Sequence, residues 1–175
     1  MRGYLFSVVC LLMMGNVMAQ QQKTDYAEMT ATIDGTINAL YDVISGEKGE
    51  ERDWDLMRYI YHPNGRLAAT RKNPDGTAGA IFLTPEGYVE TSGKWLVENG
   101  FFEEEIHREV AVFGHIAQVF STYQCFKSKS DTEPFMRGIN SIQLINQGGR
   151  WRVVNIFWAQ ETEENPIPEA YLPKH

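Results

Sequence analysis

The chain has 175 residues, 43% of them hydrophobic and 22% charged, with 15 Gly, 7 Pro and a formal charge of −7 at neutral pH. This composition excludes collagen-like, low-complexity and wholly disordered chains. No run of about 18 apolar residues occurs, which excludes a multi-span membrane protein, and the acidic balance argues against nucleic acid or anionic lipid as a partner.

Arg2, the apolar stretch from Tyr4 to Met14 and the following Val17-Met18-Ala19 read as a secretory signal peptide cut near Ala19. Residues 1–19 are thus expected to leave, and the protein to be periplasmic or extracellular. Cys10 leaves with them, so Cys125 has no cysteine to pair with and is expected to be a buried small hydrophobe rather than a thiolate. Residues 20–165 are enough for one domain with one core. Residues 166–175, with Pro166, Pro168 and Pro173, read as an extended tail.

Over residues 25–45, Ile33, Ile37, Leu40, Tyr41 and Ile44 recur at helical spacing, and Gly46 stops the helix. Residues 53–61 predict a second helix with Trp54, Met57 and Ile60 inward, ended by His62-Pro63-Asn64-Gly65. Residues 66–70 and 78–83 read as short strands around the turn Asn73-Pro74-Asp75-Gly76. Thr84-Pro85-Glu86 starts a third helix, with a hydroxyl cap and Pro in the first turn, carrying Tyr88, Val89, Ser92, Trp95 and Leu96 on one side. Residues 101–113, 115–127, 135–146 and 151–160 are four long strands. Helices grouped before strands predict an α+β fold, a curved antiparallel sheet with about three N-terminal helices on one face.

Counting alternate residues away from the two hairpin turns assigns faces, provided no bulge interrupts either hairpin. In the first, Ile106, Val110 and Val112 fall with Tyr123 and Cys125 on the core face, and Glu103, Glu105, His107 and Glu109 with Phe120 and Thr122 outside. In the second, Asn140, Ile142 and Leu144 fall with Val153, Asn155 and Phe157 on the core face. Ile139, Ile145, Val154, Ile156 and Trp158 fall outside, an apolar patch that predicts a homodimer through the outer sheet face.

The opening helix, the run Phe113-Gly114-His115-Ile116-Ala117-Gln118-Val119 and the run Gly149-Arg150-Trp151-Arg152-Val153-Val154-Asn155 resemble the nuclear-transport-factor-2-like superfamily (SnoaL-like, ketosteroid-isomerase-like). Val119-Phe120-Ser121-Thr122-Tyr123, the segment from Arg137 to Leu144 and Pro166-Ile167-Pro168 are similar to stretches in uncharacterised secreted bacterial members. The resemblance covers most of residues 20–165 and implies a cystatin-like cone with an internal pocket. The superfamily holds steroid isomerases, dehydratases, epoxide hydrolases and polyketide cyclases beside non-enzymatic binding modules, so the fold does not name a reaction. Related domains often carry His at the positions matching Asn155 and Phe157, and this sequence does not.

Tyr41, Trp54, Tyr88, Trp95, Tyr123 and Phe157, with the amides of Asn140 and Asn155, form the candidate ligand-binding set on inward stripes. His62, Tyr123 and Asp34 are the candidates for an acid or base. The acidic run from Glu103 to Glu109 first suggests a metal. Alternate strand residues stand about 7 Å apart, however, so the run reads as a solvated acidic face, and no metal or cofactor is expected. Arg137 reads as half of a surface ion pair and His115 as solvent-facing, and His175 is terminal. No Gly-x-Ser-x-Gly elbow, His-Glu-x-x-His pair, dinucleotide fingerprint or phosphate loop occurs.

Three functions fit. The first is an exported binding domain taking a small organic molecule in a mostly apolar pocket. The second is an acid/base enzyme of the isomerase, dehydratase or hydrolase kind, and the third a dimeric interaction module without an open pocket. A desolvated acid or base in the cavity favours the enzyme, aromatics and amides favour binding, and a filled interior favours the interaction module.

Overall fold

The computed structural model describes residues 26–174, so the expected signal peptide, residues 20–25 and His175 lie outside the described residues. The helix expected over 25–45 is broken in two. A helical turn at residues 26–29 ends at Thr30, whose hydroxyl bonds back to the Tyr26 carbonyl at 3.0 Å. Thr32 then caps a new helix, α1 (Ile33–Asp42), by accepting from the Gly35 N–H. Two threonines that bond their own backbone explain the interruption.

Helix α2 (Trp54–Ile60) is capped by Asp53, and strand β1 (Tyr61–Lys72) follows without a loop. His62-Pro63-Asn64-Gly65, expected as a turn, is instead the irregular start of β1, where the pairing register shifts between Tyr61 and Arg66. After β2 (Ala78–Leu83) comes one helical stretch in three parts: α3 (Pro85–Tyr88), a π-helical turn (Val89–Gly93) and α4 (Lys94–Asn99). Thr84 caps it through the Gly87 N–H, as its sequence predicts.

Strands β3 (Phe102–Phe113), β4 (Ile116–Phe126), β5 (Met136–Gln147) and β6 (Arg150–Gln160) complete one sheet of order β2-β1-β6-β5-β4-β3. The expected α+β cone with N-terminal helices stands, with one difference. β1 pairs parallel with β6, making the sheet mixed.

Two bulges change which residues face inward. In β3, Glu105 pairs with Tyr123 and His107 with Thr122, leaving Ile106 as an extra residue. In β6, Asn155 pairs with Gln143 and Val153 with Leu144, leaving Val154 extra. Each added residue reverses the face of everything beyond it. Glu103 and Glu105 therefore share the inner face with Tyr123 and Cys125, not the outer one. Ile156 and Trp158 turn inward, and Asn155 and Phe157 turn outward.

The inner face packs on the helices through Ile37, Leu40, Met57, Ile60, Val119, Ile142, Leu144 and Val153, all buried. Cys125 is fully buried, as expected, and burial pushes its thiol far above the usual range. The tail lies on the outer face. Tyr171 stacks edge-on against Phe120, its carbonyl accepts from Thr122 Oγ1 at 2.7 Å, and Ile167 is buried.

Candidate functional site

The helices and the inner sheet face line a half-open cavity of about 260 Å³. Leu40 and Tyr41 reach it from α1, Met57 from α2 and Tyr61 and Leu67 from β1. The 85–99 helix adds Tyr88, Ser92, Trp95 and Leu96, and the sheet adds Glu103, Tyr123, Met136, Asn140, Ile156 and Trp158. Widened π turns recur at functional sites. Here the turn carries Ser92 to the cavity wall, while Gly93 beside it leaves room for Trp54, whose ring a Cβ would meet at 3.1 Å.

Glu103 is the only Asp or Glu among the lining residues, and no Lys, Arg or His lines the cavity. Its Oε1 accepts from Asn140 Nδ2 at 2.9 Å, and Oε2 accepts no hydrogen bond from the described residues. Burial raises the Glu103 pKa to about 7 against the opposing pull of the Asn140 hydrogen bond. The residue keeps some exposure because the cavity reaches it, but the protein walls around the carboxyl set its electrostatics.

Four phenols lie around this carboxyl. Burial first, and the Glu103 charge second, push the hydroxyls of Tyr41, Tyr88 and Tyr123 far above the usual range. Burial does the same to Tyr61. All four stay protonated at neutral pH and can donate hydrogen bonds.

Tyr41 has its donor committed. Ser121 Oγ donates to the Glu105 carboxylate, so the 2.7 Å contact between Tyr41 and Ser121 runs from the phenol to the serine. The Tyr41 oxygen in turn accepts from Asn140 Nδ2 at 3.0 Å. Arg108 holds Glu105 in place and pairs with Asp34 at 2.5 Å. Donation thus runs outward from Asn140 through Tyr41 and Ser121 to Glu105, and fixes the amide that holds Glu103.

Of the expected ligand-binding set, Tyr41, Tyr88, Trp95, Tyr123 and Asn140 line this cavity. Trp54, Asn155 and Phe157 do not. Trp54 packs instead against Gly93 of the 85–99 helix. The β6 bulge sends Asn155 outside, where it donates to Gln143 Oε1 at 2.7 Å, and leaves Phe157 42% exposed.

Among the acid/base candidates only Tyr123 is at the cavity. His62 Nδ1 accepts from the Asn64 N–H in the bulged start of β1, and Asp34 sits at the surface beside Arg108. The carboxyl at the site is Glu103, which unbroken strand alternation places on the outer face. Arg137 pairs with Glu161 at 2.8 Å, the ion pair its sequence suggested. Among the described residues no group of His, Cys, Asp and Glu could hold a metal ion.

No protein-family model and no curated protein matches the chain. Solved structures do match it. A cystatin-like-fold protein from Caulobacter vibrioides is 13% identical over 75% of this chain and 89% of its own, with a TM-score of 0.54. A nuclear transport factor 2 (NTF2-like) superfamily protein from Salmonella enterica is 13% identical over 85% and 95%, with a TM-score of 0.53. The chain has the NTF2-like fold. An NTF2-like protein of unknown function from Silicibacter pomeroyi matches 75% of this chain and 94% of its own at 14% identity, with a TM-score of 0.52. At such identities the likeness carries the NTF2-like cone and no activity.

Proposed function

We propose that the protein is an exported small-molecule-binding domain, whose ligand is compact and largely apolar and sets one polar group against Glu103 and Asn140. One observation carries this reading: a lone carboxyl inside an aromatic cavity, without a cationic partner among its lining residues. Such a group weakens the fold, and proteins keep groups of this kind where function needs them. The open cavity speaks against a filled interaction module.

Native mass spectrometry of the protein purified from its own cell envelope tests the reading. A small adduct is expected on the wild type and none on Ser92→Trp, which plugs the wall. A wild type without an adduct, and unstabilised by any compound of cavity size, would end it.

A second reading is acid/base catalysis, favoured by the Glu103 pKa of about 7, within the useful range for a general base. Neutral phenols nearby could polarise a carbonyl. Deuterium uptake beside the carbonyl of cyclohexanone, followed by NMR, is then expected to accelerate as pH rises through about 7 and to stop in Glu103→Gln. Uptake equal in the variant would remove Glu103 as the base.

We further propose that two copies pair through the outer sheet face. Its apolar residues are Ile139, Ile145 and Phe157 rather than Ile156 and Trp158, which the β6 bulge turns inward.

A further inference from the structure

We infer that the ligand is a small organic cation, a protonated or quaternary amine on an apolar body, paired with Glu103 and held against aromatic faces. The inference rests on the cavity being a ligand site. The rings lining the cavity that holds this carboxyl come from every wall: Tyr41, Tyr61, Tyr88, Trp95, Tyr123 and Trp158. Aromatic faces carry partial negative charge and attract ammonium groups, most strongly where water is excluded. An aromatic box around one carboxylate is therefore a cation site by both of its components.

The surroundings of Glu103 supply no counter-charge. Its charge is felt by Tyr41 of α1, Tyr61 at the head of β1, Tyr88 of α3 and Tyr123 and Cys125 of β4, and its one side-chain hydrogen bond among the described residues comes from Asn140 of β5. The nearby guanidinium groups are committed elsewhere. Arg108 is bound by Glu105 and Asp34, and Arg52 by the carbonyls of Ile44, Gly46, Glu50 and Leu96. An anionic ligand would set like charge against Glu103 with no basic residue to offset it. A neutral apolar ligand would leave the carboxylate desolvated and unpaired. A cation satisfies it, and Oε2 is the oxygen left open to do so.

Phenyltrimethylammonium and tert-butylbenzene have nearly the same shape and differ in charge. Their binding is measured by ligand-observed NMR at about pH 8.5 and about pH 5.5. Because a quaternary ammonium does not titrate, any pH dependence belongs to the protein. The cation is expected to bind about tenfold tighter than its isostere at the higher pH, and to lose most of that advantage at the lower pH as Glu103 takes up a proton. Glu103→Gln should retain tert-butylbenzene binding and lose the preference. Ser92→Trp should abolish both.

Equal or tighter binding of tert-butylbenzene would overturn the cation and leave the cavity as a ligand site. Cation binding that survives Ser92→Trp would place it on the acidic surface and overturn the inference. Binding of neither probe would overturn the inference and the ligand site together.

Discussion

Glu103 sets a cost that can be read without knowing the ligand. Its pKa is raised from 4.5 to about 7 on folding, so the folded state holds its proton more tightly than the unfolded one. Stability from this group is complete below the unfolded pKa and is lost as pH rises through about 7. The loss amounts to roughly 3 kcal/mol when complete. Glu103→Gln keeps an acceptor for Asn140 and removes the titration. Its melting temperature is expected to exceed that of wild type at about pH 8.5 and to match it below about pH 4.5. A gap independent of pH would mean that the carboxyl is not desolvated.

Between helices the decisive contact is a cation held by backbone carbonyls, with Glu50 and Glu51 near it but no direct ion pair among the described residues. Arg52 donates to Ile44 O at 3.1 Å, to Gly46 O at 2.7 Å and to Leu96 O at 3.2 Å, tying the end of α1 to α4. These carbonyls lie near helix C-termini, where positive charge is favoured. Arg52→Met is expected to lower stability by at least about 2 kcal/mol, seen as a lower urea midpoint with an unchanged slope. The elements themselves were largely legible in the sequence, because periodicity, the Thr84 and Asp53 caps and the glycine turns are local signals. The site was legible on its helical half and on β4 and β5, where alternation places Tyr123 and Asn140 inward, but not on β3 and β6. Tyr41, Tyr88 and Trp95 follow from helix stripes, which need no partner strand. Glu103, Asn155, Phe157 and Trp158 were assigned to the wrong faces because alternation counts from the hairpin turns, and Ile106 and Val154 each add one residue to that count. Nothing in Glu-Glu-Ile-His or Arg-Val-Val-Asn marks an extra residue. A core partner was needed opposite Tyr123 and Cys125, and that demand was the available hint.

At the scale of the molecule, the sheet has a covered face and a half-covered one. The tail seats Tyr171 on Phe120 and buries Ile167, while a groove of about 300 Å³ beside it keeps Phe157 and Ile139 in its walls. If copies pair there, sedimentation should give twice the chain mass for wild type and the single mass for Phe157→Glu, whose ring makes no part of the inner core. A wild type at single mass at high concentration would end the proposal. The parallel pairing of β1 with β6 carries a consequence for the order of assembly. Leu67 pairs with Leu83 inside the β1–β2 hairpin, but that hairpin meets the rest of the sheet through pairs such as Leu67 with Ile156, so it cannot join the sheet until the last strand has been delivered. Closing so distant a pair is slow compared with forming the β3–β4 and β5–β6 hairpins. A chain emerging from its N-terminus therefore spends most of its emergence with α1, α2 and β1 uncovered, and becomes committed to its native state only at its far end.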